Sequence, residues 1–218
     1  MTTSLSDTGL QFASGNLIDI KTAMPSTGSY TQGDVIVEKS VNGTLSGWKR
    51  LTTGSAHVLG TDWLYFSDGI TLGTTQNTTS GTSIDFTSIP SWVKRITVNL
   101  RGTSSTGTSN YLLQIGAGSV DTTGYLSSCL DFTTSSSTAG FILTASVSSG
   151  NTRSGAVILT NLGSNIWVAS GVYCRTDSAT GGVLSGDKSL SGALDRIRLT
   201  TVGGTDTFDA GSVNIMYE

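Results

Sequence analysis

Apolar and polar residues alternate along much of this chain in the way that β-strands require. The clearest period-two segments are residues 96–100, 111–115, 141–147 and 213–217. This period directs alternate side chains to opposite faces of a strand, one toward a core and one outward. Since no stretch of about twelve residues carries the i, i+3, i+4 apolar spacing of a helix, we predict an all-β protein with very little helix.

Several predicted strands are also apolar at outward positions. Leu112, Ile142 and Met216 occupy such positions, and residues 156–159 form an uninterrupted apolar run. Strands of this kind are covered on both faces, by a second sheet or by a neighbouring subunit. Gly-, Ser- and Thr-rich segments separate the strands, so the pattern favours an antiparallel, jelly-roll-like β-sandwich.

The chain is predicted to contain two domains. Residues 69–81 are polar and Thr-rich, with little apolar content after Leu72. We therefore predict a small N-terminal β module over residues 1–70, a linker over 71–80 and a C-terminal β-sandwich over 81–218. Within the first module, the Asn42-Gly43 dipeptide is typical of a hairpin turn.

Composition and charge exclude several classes of function. Only 12% of the residues are charged, against about 25% in typical soluble domains, and the net charge is −3. This balance argues against nucleic-acid binding. No apolar run approaches the roughly 18 residues of a membrane span, and the start of the chain lacks a signal peptide. We expect synthesis and folding in a cytoplasm, without membrane insertion.

The residues that could support catalysis are few. His57 is the single histidine, and no nucleophile-elbow, phosphate-loop or zinc-protease motif is present. Asp206/Asp209 and Asp177/Asp187 could supply the two carboxylates of a glycosidase. However, aspartate is a common turn residue, and the first pair lies between two predicted strands, which favours a turn. We predict no catalytic residue, no metal site and no cofactor.

The cysteines and tryptophans have structural interpretations as well as functional ones. Cys129 and Cys174 fit no metal or redox spacing, and whether they form a disulfide stays open. Tryptophan stacks on sugar rings, but it is more often buried. The alternation around Trp167 predicts a core position, whereas Trp48 and Trp63 suit either the core of the first module or a sugar contact.

Three segments resemble tail proteins of tailed bacteriophages. Residues 28–36, Gly-Ser-Tyr-Thr-Gln-Gly-Asp-Val-Ile, resemble a strand start common in tailspikes and tail fibres. In those proteins a Gly-Trp pair and a second tryptophan follow, matched here by Gly47-Trp48 and Trp63. Residues 91–98 and 205–218 resemble a C-terminal domain of diverse phage fibre and tail proteins, over roughly residues 80–218.

The resemblance implies a non-enzymatic virion component, a tail-fibre or tail-tip protein that attaches to host-surface glycans. It implies a homotrimer with a β-sandwich at a fibre end, in contact with other virion proteins. The chain shows no β-helix or coiled-coil shaft between the two modules. A capsid decoration or head-fibre structural protein is therefore an alternative, and a short glycan-degrading enzyme is a third hypothesis.

Binding on a rigid sandwich usually falls to its loops. The loop segments richest in polar residues are 116–124, 148–155 and 175–186. Short hydrogen-bonding side chains suit sugar hydroxyls, and an aromatic ring suits a sugar face. The candidate receptor-binding residues in or beside these loops are Tyr125, Asn151, Arg153, Arg175 and Asp177, with Asp121 and Asp187 as further polar members.

Overall fold

The computed structural model describes residues 5–6, 9–38, 46–67 and 69–218. All the regular secondary structure in these residues is β-strand, which confirms the prediction of an all-β protein. The chain divides into two compact units, Met1–Ile70 and Thr71–Glu218. The predicted hairpin turn at Asn42-Gly43 lies outside the described residues. No helix that could cross a membrane occurs in the described part of the chain.

The first unit is one sheet whose strands follow one another in chain order. Strands β3 and β4 run parallel, and the other pairings are antiparallel. The strands are β1 (Leu5–Ser6), β2 (Gly9–Gln11), β3 (Leu17–Lys21), β4 (Val35–Glu38), β5 (Ser46–Arg50) and β6 (Trp63–Ser67). Ile36, Trp48 and Trp63 form its small buried core. Trp48 and Trp63 therefore belong to the core of this unit.

The second unit contains two antiparallel sheets. The large sheet has, in spatial order, β14 (Thr134–Ser137), β13 (Leu126–Leu130), β18 (Thr180–Ser189), β17 (Ile166–Arg175), β16 (Arg153–Gly163), β10 (Arg95–Ser105), β20 (Phe208–Tyr217) and β7 (Thr71–Leu72), with β8 (Gln76–Asn77) also on β20. The small sheet has β12 (Ser119–Val120), β11 (Tyr111–Ala117), β19 (Arg196–Thr201) and β9 (Ser83–Thr87), with β15 (Phe141–Ile142) on β11.

The segment expected to be a linker is part of this sandwich. Residues 71–80 contribute β7 and β8, which pair with β20 in register Leu72–Met216 and Gln76–Val213. Its low apolar content suggested a linker, but an edge strand can be held by main-chain hydrogen bonds and needs few buried side chains.

One apolar core joins the two sheets of the second unit. Inward residues of both sheets, such as Val98, Leu113 and Trp167, belong to a single buried cluster. Leu112 and Ile142, predicted to point outward, are buried in the same cluster. These two side chains are therefore covered within one chain and do not need a neighbouring subunit.

We expect a matched pair of leucine substitutions to separate core from surface. Leu113 is completely buried and Leu162 is 70% exposed. Leu113→Ala should lower the free energy of unfolding by about 2–5 kcal/mol, because it removes core contacts and leaves a cavity. Leu162→Ala should change it by less than about 0.5 kcal/mol. Denaturant unfolding followed by circular dichroism measures both, and equal effects would contradict this core.

Candidate functional site

Tyr125 is a buried structural residue, contrary to its prediction as a receptor contact. Its side chain has no exposed surface, and its ring packs edge-on against Phe141 at 5.0 Å between centroids. The hydroxyl accepts a hydrogen bond from the Ile115 N–H at 2.8 Å and donates one to the Asp121 carbonyl oxygen at 3.0 Å. Burial raises the pKa of this hydroxyl. The ring is therefore unavailable to a sugar, because it fills the core.

Arg153 is also buried, so its prediction as a receptor contact is wrong for the same reason. Only 1% of it is exposed. Its Nη2 donates to the Ser146 carbonyl at 2.5 Å, its Nη1 donates to the Asn151 carbonyl at 3.4 Å, and the guanidinium lies 5.5 Å from the Tyr111 ring centroid. Arg153 thus ties the loop before β16 to the core.

The remaining three candidates do come together. Asp177 accepts two hydrogen bonds from Arg175, at 3.1 and 2.6 Å, and one from Asn151 Nδ2 at 3.4 Å. The start of β16 and the end of β17 are adjacent because Arg153 pairs with Arg175. The hydroxyls of Thr152 and Thr176 meet at 2.7 Å. We call Asn151, Thr152, Arg175, Thr176 and Asp177 the strand-end cluster.

The strand-end cluster is polar but largely satisfied by its own members. The hydrogen bonds from Arg175 lower the pKa of Asp177, and the same contact raises the pKa of Arg175. The carboxylate therefore stays charged to a lower pH than that of a free aspartate. The cluster offers hydroxyls and charged groups to a ligand. None of its members is aromatic, so it has no ring on which a sugar could stack.

The proposed acid pairs have structural roles in this fold. Asp206 accepts a hydrogen bond from the Ser109 N–H at 2.8 Å, and Asp209 accepts one from the Ser104 hydroxyl. Asp177 follows β17, whereas Asp187 lies near the far end of β18. At a rise of about 3.3 Å per residue, most of a strand separates them. Asp177 and Asp187 therefore do not form a pair of carboxylates across one substrate cleft.

His57 is held in the first unit. Its Nε2 lies 3.0 Å from the Gly28 carbonyl oxygen, and its Nδ1 accepts a hydrogen bond from Trp63 Nε1 at 3.2 Å. Its ring is stacked with that of Trp63, at 6.3 Å between centroids. Both ring nitrogens are engaged, so the histidine orients the buried indole.

The cysteines are both free thiols, which answers the question that the sequence left open. Cys129 is buried and Cys174 is exposed. Burial raises the pKa of the Cys129 thiol to about 11. A buried thiol of high pKa behaves as a small apolar side chain.

Sequence reasoning missed a cleft at one edge of the sandwich, where β7 and β8 approach β9. This edge cleft has a volume of about 400 Å³, and Gln76, Asp85, Phe86, Ser88 and Tyr217 are among its lining residues. The lining joins residues between 72 and 89 to Ile215 and Tyr217, which the pairing of β20 with β7 and β8 brings to this edge. The one sequence signal near this edge is Trp92 of the resemblance segment 91–98, whose ring centroid lies 5.9 Å from that of Tyr217.

No protein-family model, curated protein or solved structure matches this chain significantly.

We expect substitutions of two arginines to distinguish the structural candidate from the exposed one. Arg153→Ala should lower the free energy of unfolding by roughly 2–4 kcal/mol, because two loop carbonyls lose their buried donor and the packed stem is removed. Arg175→Ala should leave the denaturation midpoint almost unchanged, since exposed ion pairs contribute little. The same unfolding measurement serves both variants. A stable Arg153→Ala variant would mean that this arginine is not a structural tie.

Proposed function

We propose that this chain is a non-enzymatic virion component of a tailed phage, a tail-fibre or tail-tip protein that attaches to host-surface glycans. The observation that carries the proposal is the meeting of the two C-terminal segments that resemble phage fibre proteins. Residues 91–98 and 205–218 are far apart in the chain, yet β10 and β20 pair in register Ile96–Tyr217. Two separate sequence similarities thus fall on one structural motif.

Side-chain contacts reinforce this motif at its end. Arg95 Nη1 donates to Glu218 Oε1 at 3.0 Å, and the backbone N–H groups of Lys94 and Arg95 donate to the Glu218 carbonyl. Trp92 packs on Tyr217. The residues that carry the resemblance therefore hold the end of β20 in place, as expected for a shared structural module.

The N-terminal segment of resemblance also has a structural explanation. Gly33 adopts a positive φ of 97°, and the Asp34 carboxylate accepts hydrogen bonds from the N–H groups of Thr31 at 2.7 Å and Leu17 at 2.8 Å. The Tyr30 ring meets the Trp63 ring edge-on at 4.9 Å. The Tyr-x-x-Gly-Asp order thus builds a turn that leads into β4, and its tyrosine packs on Trp63, the second tryptophan of the resemblance.

An exposed apolar row supports the proposal of a homotrimer. Four apolar residues lie side by side across the large sheet: Leu130 on β13, Val183 on β18, Val172 on β17 and Ala156 on β16. The first three side chains are 51–62% exposed. The next row contains Ser128, Ser185 and Ser170, so this part of the outer face carries no charge. An uncharged apolar row of this extent suits a second copy of the chain better than water.

The alternative of a capsid decoration or head-fibre protein uses the same fold and the same apolar row. The two differ in their position on the particle. The glycan-degrading enzyme has less support, because the carboxylates of Asp206 and Asp209 are engaged in holding loop and strand.

Immunogold electron microscopy of intact virions tests the proposed position and role. We expect label at the tail tip or fibres, and antibody Fab fragments against the chain should reduce adsorption to host cells. Label on the head would favour the decoration protein, and unlabelled virions would refute a virion component.

Purified protein should release no oligosaccharide from host capsule or lipopolysaccharide. Release that disappears in Asp206→Asn or Asp209→Asn would show an enzyme.

Light scattering tests the homotrimer separately. The expected mass is about 67 kDa, three times the chain mass of 22.5 kDa. Val172→Arg should reduce the mass toward that of one chain, because a buried unpaired charge is costly at an interface. Leu162→Arg is the matched control, an exposed leucine outside the apolar row, and it should preserve the trimer. A monomer at micromolar concentration would contradict the proposal.

A further inference from the structure

We propose that the edge cleft binds a neutral saccharide unit, with Tyr217 as its stacking surface. This inference rests on the proposed attachment function and specifies where on the sandwich a glycan binds. It moves the binding site away from the loops that the sequence indicated.

The aromatic wall of the cleft is held in position by the core. Tyr217 lies at the end of β20, between the pairing partners Ile96 on β10 and Thr71 on β7. Its ring is partly buried against the apolar core and contacts Trp92 with an interplanar angle of 54°. A partly exposed ring that packing already orients loses little entropy when it stacks on a sugar face.

Polar groups at the rim supply both donors and acceptors. Asp85 is held by two hydrogen bonds from Arg198, each 2.7 Å, so its carboxylate has a defined orientation. Gln76 Nε2 donates to the Asp85 carbonyl at 2.6 Å, which fixes the amide beside it. Sugar hydroxyls act as donors and acceptors at once, and the carboxylate of Asp85 and the amide of Gln76, both in the lining, together match them.

The backbone of the cleft is unusual at one position. Ser88, at the end of β9, has a positive φ of 60°, which is uncommon for a residue other than glycine. The next residue is anchored, because the Ile89 N–H donates to the Asp195 carbonyl at 3.0 Å. Ser88 belongs to the lining of the cleft. Backbone conformations of this kind occur frequently at ligand sites.

Charge pairing favours a neutral ligand. Near the cleft, Arg198 pairs with Asp85 at 2.7 Å, Arg196 with Asp195 at 2.7 Å and Arg95 with Glu218 at 3.0 Å. Each of these three arginines has its own carboxylate, so none of them offers an anionic sugar an unpaired positive charge. The volume of about 400 Å³ is in the lower part of the range for ligand pockets, which suits one or two sugar units.

Two other grooves among the described residues lack this combination. The groove beside β13 and β14 is lined by serines, including Ser128 and Ser136, and its aromatic residue, Tyr125, is wholly buried. The groove formed by residues 20–27 and Tyr30 in the first unit has no carboxylate or amide side chain in its lining. The edge cleft has both an aromatic wall and hydrogen-bonding groups of each kind.

Saturation-transfer NMR with the full-length protein tests the proposal. The probes are glucose, galactose, mannose, N-acetylglucosamine and lactose, all neutral, with sialic acid as the charged comparison. We expect transfer to at least one neutral sugar and none to sialic acid. Affinity should fall at least tenfold in Tyr217→Ala and severalfold in Gln76→Ala. Phe132→Ala, which removes a 61% exposed aromatic ring elsewhere in the same unit, should bind normally.

The outcomes separate this proposal from the attachment function. Gln76→Ala keeps the test valid if Tyr217→Ala fails to fold, which circular dichroism would reveal. Neutral-sugar binding that survives in Gln76→Ala and is lost in Asp177→Ala would overturn the edge cleft and leave the attachment function standing. The absence of binding to every neutral probe would also overturn the cleft, whatever the immunogold result. Unlabelled virions would refute the virion function without deciding whether the cleft binds sugar.

Discussion

The antiparallel pairing of β10 with β20 joins an early strand of the second unit to its last strand. The inward residues of this pair, such as Val98 and Ile215, enter the core between the two sheets. The free side of β20 then accepts β7 and β8, which bring the start of the unit to the same edge. The edge cleft and the meeting of the resemblance segments both depend on this long-range pairing. Its entropic cost is offset by the apolar surface that the two strands bury together.

Each unit also uses one buried arginine in the same manner. Arg50 donates to the carbonyls of Thr52 and Ala56 and lies 5.1 Å from the Trp63 ring centroid. Arg153 donates to loop carbonyls and lies over Tyr111. Both guanidinium groups are partly compensated by carbonyl dipoles and an aromatic face, although one nitrogen of each has no hydrogen-bond partner, and both hold an irregular loop against a core. A charged side chain beside a loop of this protein is therefore not by itself evidence of a binding surface.

The surface proposed for assembly and the surface proposed for binding lie at different places in the second unit. The exposed apolar row crosses β13, β18, β17 and β16, toward one side of the large sheet. The edge cleft lies at the opposite side, beyond β20. A trimer formed through the apolar row would leave the clefts accessible, so three sugar sites could act together. Several weak sites on one particle bind a repetitive glycan surface much more tightly than one site.

The sequence by itself determined the strand content and much of the core. Period-two alternation is a local property, and it correctly predicted an all-β protein and the buried position of Trp167. Local patterns could not separate Tyr125 and Arg153 from exposed loop residues, because both have polar tips beside polar segments, and only packing between strands buries them, against Phe141 and Tyr111 respectively. Local patterns also suggested a linker over residues 71–80, whereas main-chain pairing to β20 makes this segment the edge strands β7 and β8. Only the tertiary structure brought Gln76, Asp85 and Tyr217 to one cleft, because strand order and register decide which distant residues become neighbours.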